Sequence, residues 1–143
     1  MVIAGVADQV PERIRALVYL DAFVPADGDS AWALSTGAER TRLISGAAGD
    51  GFPFPPLPCF DARATAHPLA SFLQAIRLTG KLDAVPRRDY VYAAEWAEGP
   101  FGPVAERLRD DPAWHLHVLA SQHNLMRDVP DELARIVAAA ADA

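Results

Sequence analysis

The stretch Ala16-Leu17-Val18-Tyr19-Leu20 most narrows what this chain can fold into. Five apolar residues in a row follow the polar turn Glu12-Arg13-Ile14-Arg15 and stop at Asp21. Such a run suits a strand buried on both faces, as in a parallel sheet covered by helices. Two more β-type stretches follow, at Tyr90-Val91-Tyr92-Ala93-Ala94 and at 114–120. Helical patterns separate and follow them, over 103–109 and from Asp128 to the end. In the last, Asp128 is expected to cap, Pro130 stands in the first turn, and Leu133, Ile136, Val137 and Ala140 recur at one-face spacing. Burying the three large ones would contribute roughly 1.5–3 kcal/mol each. The order α-β-insertion-β-α-β-α implies right-handed crossovers and parallel strands, hence an α/β fold. Three strands make a thin sheet, so the chain reads as the second half of a doubly wound one.

Residues 26–80 have a different character. Ser30 can cap a helix through Ala31-Trp32-Ala33-Leu34 and on to Leu43, broken by Gly46 to Gly51. Phe52-Pro53-Phe54-Pro55-Pro56-Leu57-Pro58 cannot donate a regular ladder of hydrogen bonds. A second helix is expected from Pro68 to Leu78, with Leu69, Phe72, Leu73 and Ile76 on one side and Gly80 as its stop. A crossover needs only a dozen or so residues, so 26–80 is expected to be a cap insertion on a partial core of 1–25 and 81–143. Trp32, Phe54, Phe60 and Phe72 fit the core of that cap, or the wall of an apolar acyl or aryl pocket. Residues 1–9 put Ile3, Val6 and Val10 at helical spacing with no capping residue ahead of Val2, as in a helix whose start lies upstream.

Composition bounds the function classes. With 143 residues, 51% hydrophobic and 22% charged, the chain can build one domain with a core and is too apolar for disorder. Its net charge of −6 and pI of about 5.0 argue against nucleic-acid binding. The single cysteine, Cys59, excludes an internal disulfide and suits a reducing, cytoplasmic compartment. Cys59 has no basic neighbour to depress its pKa, so it is not read as a nucleophile. Met1 to Asp8 lacks the basic start of a signal peptide, and no apolar run is long enough to span a bilayer. No membrane partner is therefore expected. His115 and His117 share one strand face, but without a third ligand nearby no metal is expected. No phosphate loop or cofactor fingerprint occurs, so no cofactor is expected either.

In open parallel sheets, sites form beyond the carboxyl ends of the strands. Three stretches lie at such ends: Asp21, the Glu95–Glu98 loop, and His123 in Ser121-Gln122-His123-Asn124. An acid and a histidine at one sheet edge have the makings of the base and its orienter in a nucleophilic triad. A solvent-facing loop histidine and a structural turn carboxylate are the plain alternatives.

Met1-Val2-Ile3-Ala4-Gly5-Val6-Ala7-Asp8, Ala16 through Pro25, His67-Pro68-Leu69-Ala70 with Leu78-Thr79-Gly80, and His123 through Leu133 together resemble the α/β-hydrolases. The nearest branch is that of bacterial esterase-like proteins related to plant methylesterases and hydroxynitrile lyases. The resemblance covers nearly the whole chain and implies a carboxylic-ester hydrolase acting on a small-molecule ester. It makes His123 the triad histidine, although Gln122 stands where relatives usually carry Gly. For the acid it leaves Asp21 first, Glu98 next and Glu95 last, because the position that carries the acid in the plant relatives corresponds here to Trp96. The family's Gly-x-Ser-x-Gly elbow is absent, and Met1 aligns just after the elbow's final Gly. The nucleophile is accordingly expected upstream of this chain. The nearest look-alike, Gly28-Asp29-Ser30-Ala31-Trp32, reads as a helix cap. Two other expectations stand beside this one: a truncated, non-catalytic protein pairing through its incomplete sheet as a homo-oligomer, and a hydroxynitrile lyase.

Overall fold

A computed structural model of the chain describes residues 1–47, 53, 54, 56, 61–96 and 98–142. Cys59 and Phe60, and with them the readings made of each, lie outside the described residues. The elements in chain order are α1 (Val2–Gln9), β1 (Ala16–Leu20), α2 (Ala31–Leu34), α3 (Gly37–Gly46), β2 (Pro53–Phe54), β3 (His67–Pro68) and α4 (Leu69–Leu73). They continue with β4 (Arg87–Ala93), α5 (Gly102–Arg109), β5 (His115–Leu119), α6 (Leu125–Asp128) and α7 (Pro130–Ala141). The main sheet has three strands in the order β1-β4-β5, and both pairings are parallel. Helices cover its two faces, giving the half-sheet α/β architecture that the apolar runs imply.

Each face of the sheet has its own core. Leu17, Tyr19 and Tyr90 pack with Ala7, Val85, Ala105 and Leu108 on one side. Val91, Ala93 and Leu119 pack with Leu125 and Leu133 on the other, joined by Val18, Leu20 and Ile136. β4, in the middle, is the strand buried on both faces. β1 alternates instead, with Leu17 and Tyr19 buried and Ala16, Val18 and Leu20 only partly so, because it has a strand neighbour on one side alone among the described residues.

Asp8 fastens α1 to the 3₁₀ turn at Lys81–Ala84. Its carboxylate accepts from the Thr79 N–H (2.7 Å), the Thr79 hydroxyl (2.9 Å) and the Leu82 N–H (3.2 Å). Burial works to raise its pKa, but these donors outweigh it and hold the group below the usual carboxylate range.

Several sequence expectations change. β4 starts at Arg87, three residues before the apolar run, because Asp89 is buried there with its own partners. Arg87 donates to both Asp89 oxygens (2.8 and 3.0 Å), and the His117 Nε2 lies 2.7 Å from Oδ1. The helix expected over 31–43 is interrupted at Ser35 and Thr36, where Thr36 and Glu39 form a capping box that starts α3 afresh. The helix expected over 68–78 stops at Leu73. Beyond it the Ile76 N–H donates to the Asp29 carbonyl (2.7 Å) and the Ile76 carbonyl accepts from the Gly28 N–H (2.9 Å), which claims the backbone for an extended path. At the C-terminus, Asp128 ends α6 rather than capping α7, whose N-cap is Val129. Val137, counted on the buried stripe of that helix, is 42% exposed. The reading of Ser30 as a cap agrees with its side chain accepting from the Ala33 N–H at 3.1 Å.

Candidate active site

Asp21 is the first residue past β1, and its backbone turns sharply there with φ of +42°. That left-handed conformation disfavours most side chains, with Asp and Asn among the exceptions. The turn is held by the Asp21 N–H donating to the Val91 carbonyl at 2.7 Å, which continues the ladder to β4. The carboxylate is thereby swung under the end of the sheet, where it is 1% exposed. Its Oδ1 accepts from the Ala93 N–H at 3.2 Å. Its Oδ2 faces the Nδ1 of His123 at 2.8 Å.

His123 reaches that position from the turn after β5. The Ser121 N–H donates to the Leu119 carbonyl (3.0 Å), and the Ser121 carbonyl accepts from the Glu95 N–H (3.1 Å). The Gln122 side chain donates to the Glu95 carbonyl at 2.9 Å, tying the turn to the loop after β4. Asn124 then caps α6 by accepting from the Arg127 N–H at 3.3 Å. The Gln122 side chain, which departs from the usual Gly, thus acts as a strut between two loops.

A carboxylate can only accept, so the His123–Asp21 hydrogen bond puts the ring proton on Nδ1 and leaves the Nε2 lone pair free. Nε2 has no hydrogen-bond partner among the described residues, and the side chain is 37% exposed. The arrangement is chemically that of a base with its orienter: one nitrogen locked inward, the other open to a proton. Tyr90 closes the floor nearby, its hydroxyl donating to the Ala22 carbonyl at 2.9 Å. Burial first, and the charge of Asp21 second, push the Tyr90 pKa far up, so it remains a neutral donor.

Of the three candidate acids, only Asp21 has its carboxylate bonded to the His123 ring. Glu95 and Glu98 are exposed, and neither carboxylate makes a hydrogen bond or ion pair with a described residue. Their loop contributes something else. The Trp96 ring lies 4.3 Å from that of His123, centroid to centroid, at an interplanar angle of 37°. Phe101 stacks on the same imidazole at 5.8 Å and 22°, and Phe23 meets Phe101 edge-on at 4.9 Å. Sequence reading missed these rings; an aromatic residue on the central strand's exit loop was the available signal. His117 is joined to Asp89, while among the described residues no three His, Cys, Asp or Glu side chains are grouped to hold a metal ion.

Parallel strands with helices on both faces, and an acid–histidine pair at the carboxyl edge, are the architecture of an α/β-hydrolase, and the chain belongs to that family. It is 34% identical to a carbendazim hydrolyzing esterase of Nocardioides sp. (strain SG-4G), over 97% of this chain and 66% of the esterase. Among solved structures it is similar to an extracellular α/β-hydrolase from a Paenibacillus species, itself described as homologous to tobacco salicylic acid binding protein 2. That likeness has a TM-score of 0.77 at 22% identity and covers 97% of this chain and 66% of the other. A pyrethroid hydrolase from Sphingobium faniae JZ-2 gives a TM-score of 0.69 at 20% identity, covering 99% of this chain and 66% of the other. No family profile matches the chain. The chain thus spans 66% of the length of each of these relatives.

Proposed function

We propose that this chain carries the acid and the histidine of a serine-type carboxylic-ester hydrolase, with Asp21 and His123 in those roles. The observation that carries the reading is the 2.8 Å contact between the buried Asp21 carboxylate and His123 Nδ1, which leaves Nε2 facing outward. In the reaction, a serine hydroxyl outside these residues gives its proton to Nε2 as its oxygen attacks the ester carbonyl. Asp21 keeps the ring in the right tautomer and stabilises the imidazolium. Nε2–H then protonates the departing alkoxide, and the cycle repeats with water attacking the acyl-serine. The oxyanion donors of this fold, the N–H after the serine and one from an earlier loop, also lie outside these residues. Glu98 and Glu95 remain the alternative acids; their exposure and lack of a bond to the ring count against them. Residues 26–80 are the proposed cap over the site. Named activities of the relatives, toward carbendazim and pyrethroids, point to small-molecule esters as the substrate class.

The test uses the 143-residue chain as it stands. Loss of the serine alone costs roughly a million-fold in kcat in a well-studied protease. The chain by itself is therefore expected to show no turnover of p-nitrophenyl acetate above background. Turnover that disappears in His123→Ala would overturn the assignment of the nucleophile to residues outside this chain.

A second reading, association of the chain with itself, is favoured by its exposed surface. Val2 is 80% exposed, Ile3 45% and Val6 48%, and no described strand pairs with the outer edge of β1. Unpaired edges and apolar patches promote pairing. Size-exclusion chromatography with light scattering is expected to show dimers or larger species rising with concentration; a monomer throughout the range would sink this reading. The single Cys59 supports a reducing, cytoplasmic location. Among the described residues, no helix is long and apolar enough to cross a membrane.

A further inference from the structure

We propose that Trp96 is a positioning residue for His123: its indole fixes the plane of the imidazole and offers a π-face to the ring when it takes up a proton. The inference rests on the reading of His123 as the proton-carrying base. A hydrogen bond from Nδ1 to Asp21 fixes one atom of the ring but leaves the ring free to swing about that bond. Trp96, at 4.3 Å between centroids, and Phe101, at 5.8 Å, supply the contacts that a single bond cannot. Their own contact, at 5.9 Å, makes the three rings one cluster, and Phe101 is buried.

The placement of the indole is built into the backbone. The Gly99 N–H donates to the Trp96 carbonyl at 2.9 Å, closing a tight turn. The indole folds back over that glycine so closely that a Cβ at position 99 would sit 2.6 Å from Trp96 Cε3 and 2.8 Å from Cδ2. No side chain fits in that gap, so Gly99 is what lets the indole lie where it meets His123 (its φ is unremarkable, and the constraint is space). The same loop is bound to the histidine turn through the Glu95 backbone and Gln122. Indole and imidazole are therefore carried by two loops that are hydrogen-bonded to each other. A cation over an aromatic face within about 6 Å of its centroid is attracted by the ring quadrupole, most strongly for Trp. The imidazolium formed during proton transfer is such a cation, whereas the neutral imidazole gains only packing.

The test needs only this chain. A protonated imidazole against an indole quenches its fluorescence, so the Trp96 emission is expected to fall as acid protonates His123. That step should vanish in His123→Gln and in Trp96→Phe, leaving Trp32 and Trp114 to report the remainder. Gly99→Ala, which touches neither ring chemically, should cut the step at least two-fold by pushing the indole aside. In NMR, the carbon-bound ring protons of His123 should move downfield in Trp96→Leu as ring-current shielding is lost, and return partway in Trp96→Phe. A step unchanged in Trp96→Phe or Gly99→Ala, or ring protons unmoved in Trp96→Leu, overturns the proposal. Failure of the underlying reading has a separate signature: Asp21→Asn would then leave the His123 Nδ1–H resonance where it is in the unsubstituted chain.

Discussion

Asp21 does two things that rarely coincide in one residue: it turns the chain with a positive φ and it presents a buried carboxylate to His123. A left-handed turn costs an ordinary side chain roughly 1–2 kcal/mol, so Asp21→Asn is the variant that separates the roles. Asn tolerates the turn and keeps an oxygen for the Ala93 N–H, but it carries no charge and can hold the imidazole in the wrong tautomer. In a form of the protein that includes the nucleophile, Asp21→Asn is expected to lower kcat by about 10⁴ while leaving Tm nearly unchanged. Steady-state kinetics with a small ester, beside a thermal melt, check both halves. His123 and Asp21 stand out in the sequence as candidates because each follows a β-type stretch at its carboxyl end. Sequence alone ranks Asp21 ahead of Glu98 and Glu95 without deciding among them, since it does not say which strand lies beside which. The 2.8 Å contact between Asp21 and His123 Nδ1, and the exposure of both glutamates, support the proposal of Asp21. Trp96 is legible only as the residue standing where the plant relatives carry their acid; its tilted packing against His123 is a three-dimensional fact with no local periodicity.

At the scale of elements, the polar start of β4 places a carboxylate inside the fold. Asp89 has no exposed side-chain surface, and its oxygens are held by Arg87 and His117. Burial tends to raise its pKa, but the hydrogen bonds from Arg87 and His117 outweigh that and keep it below the usual carboxylate value. A depressed folded pKa means the stabilisation is fully present above the unfolded value, about 3.9, and is lost as pH falls through the folded one. Thermal melts from about pH 6 to pH 2.5 should therefore show a steeper acid-side loss of Tm in the natural chain than in Asp89→Asn. Asp89→Ala should cost about 3 kcal/mol, the low end for a broken buried pair because Arg87 and His117 still reach solvent; chemical denaturation measures it. The same network explains why the start of β4 is hidden in the sequence: Arg87-Arg88-Asp89 lies outside the apolar run that signals the strand. Helix ends failed for a related reason. Leu69, Phe72, Leu73 and Ile76 keep helical spacing, yet Ile76 pairs with Gly28 and Asp29, and a long-range backbone bond outranks periodicity. Elements whose signal was a continuous apolar run, β1 above all, were found in place.

For the molecule as a whole, each strand of the sheet delivers one member of the candidate site: Asp21 from β1, Trp96 from β4 and His123 from β5. Their alignment depends on two parallel ladders. A one-residue slip in either would move a strand end by about 3.3 Å, more than the Asp21–His123 bond can absorb. Residues 26–78 lie outside both ladders, because β1 and β4 pair directly. Protein engineers can exploit this: alternative loops of different length, grafted between Pro25 and Leu78 so that Thr79 still donates to Asp8, should leave the Asp21–His123 contact in place and so vary the proposed cap independently of the proposed acid–histidine pair.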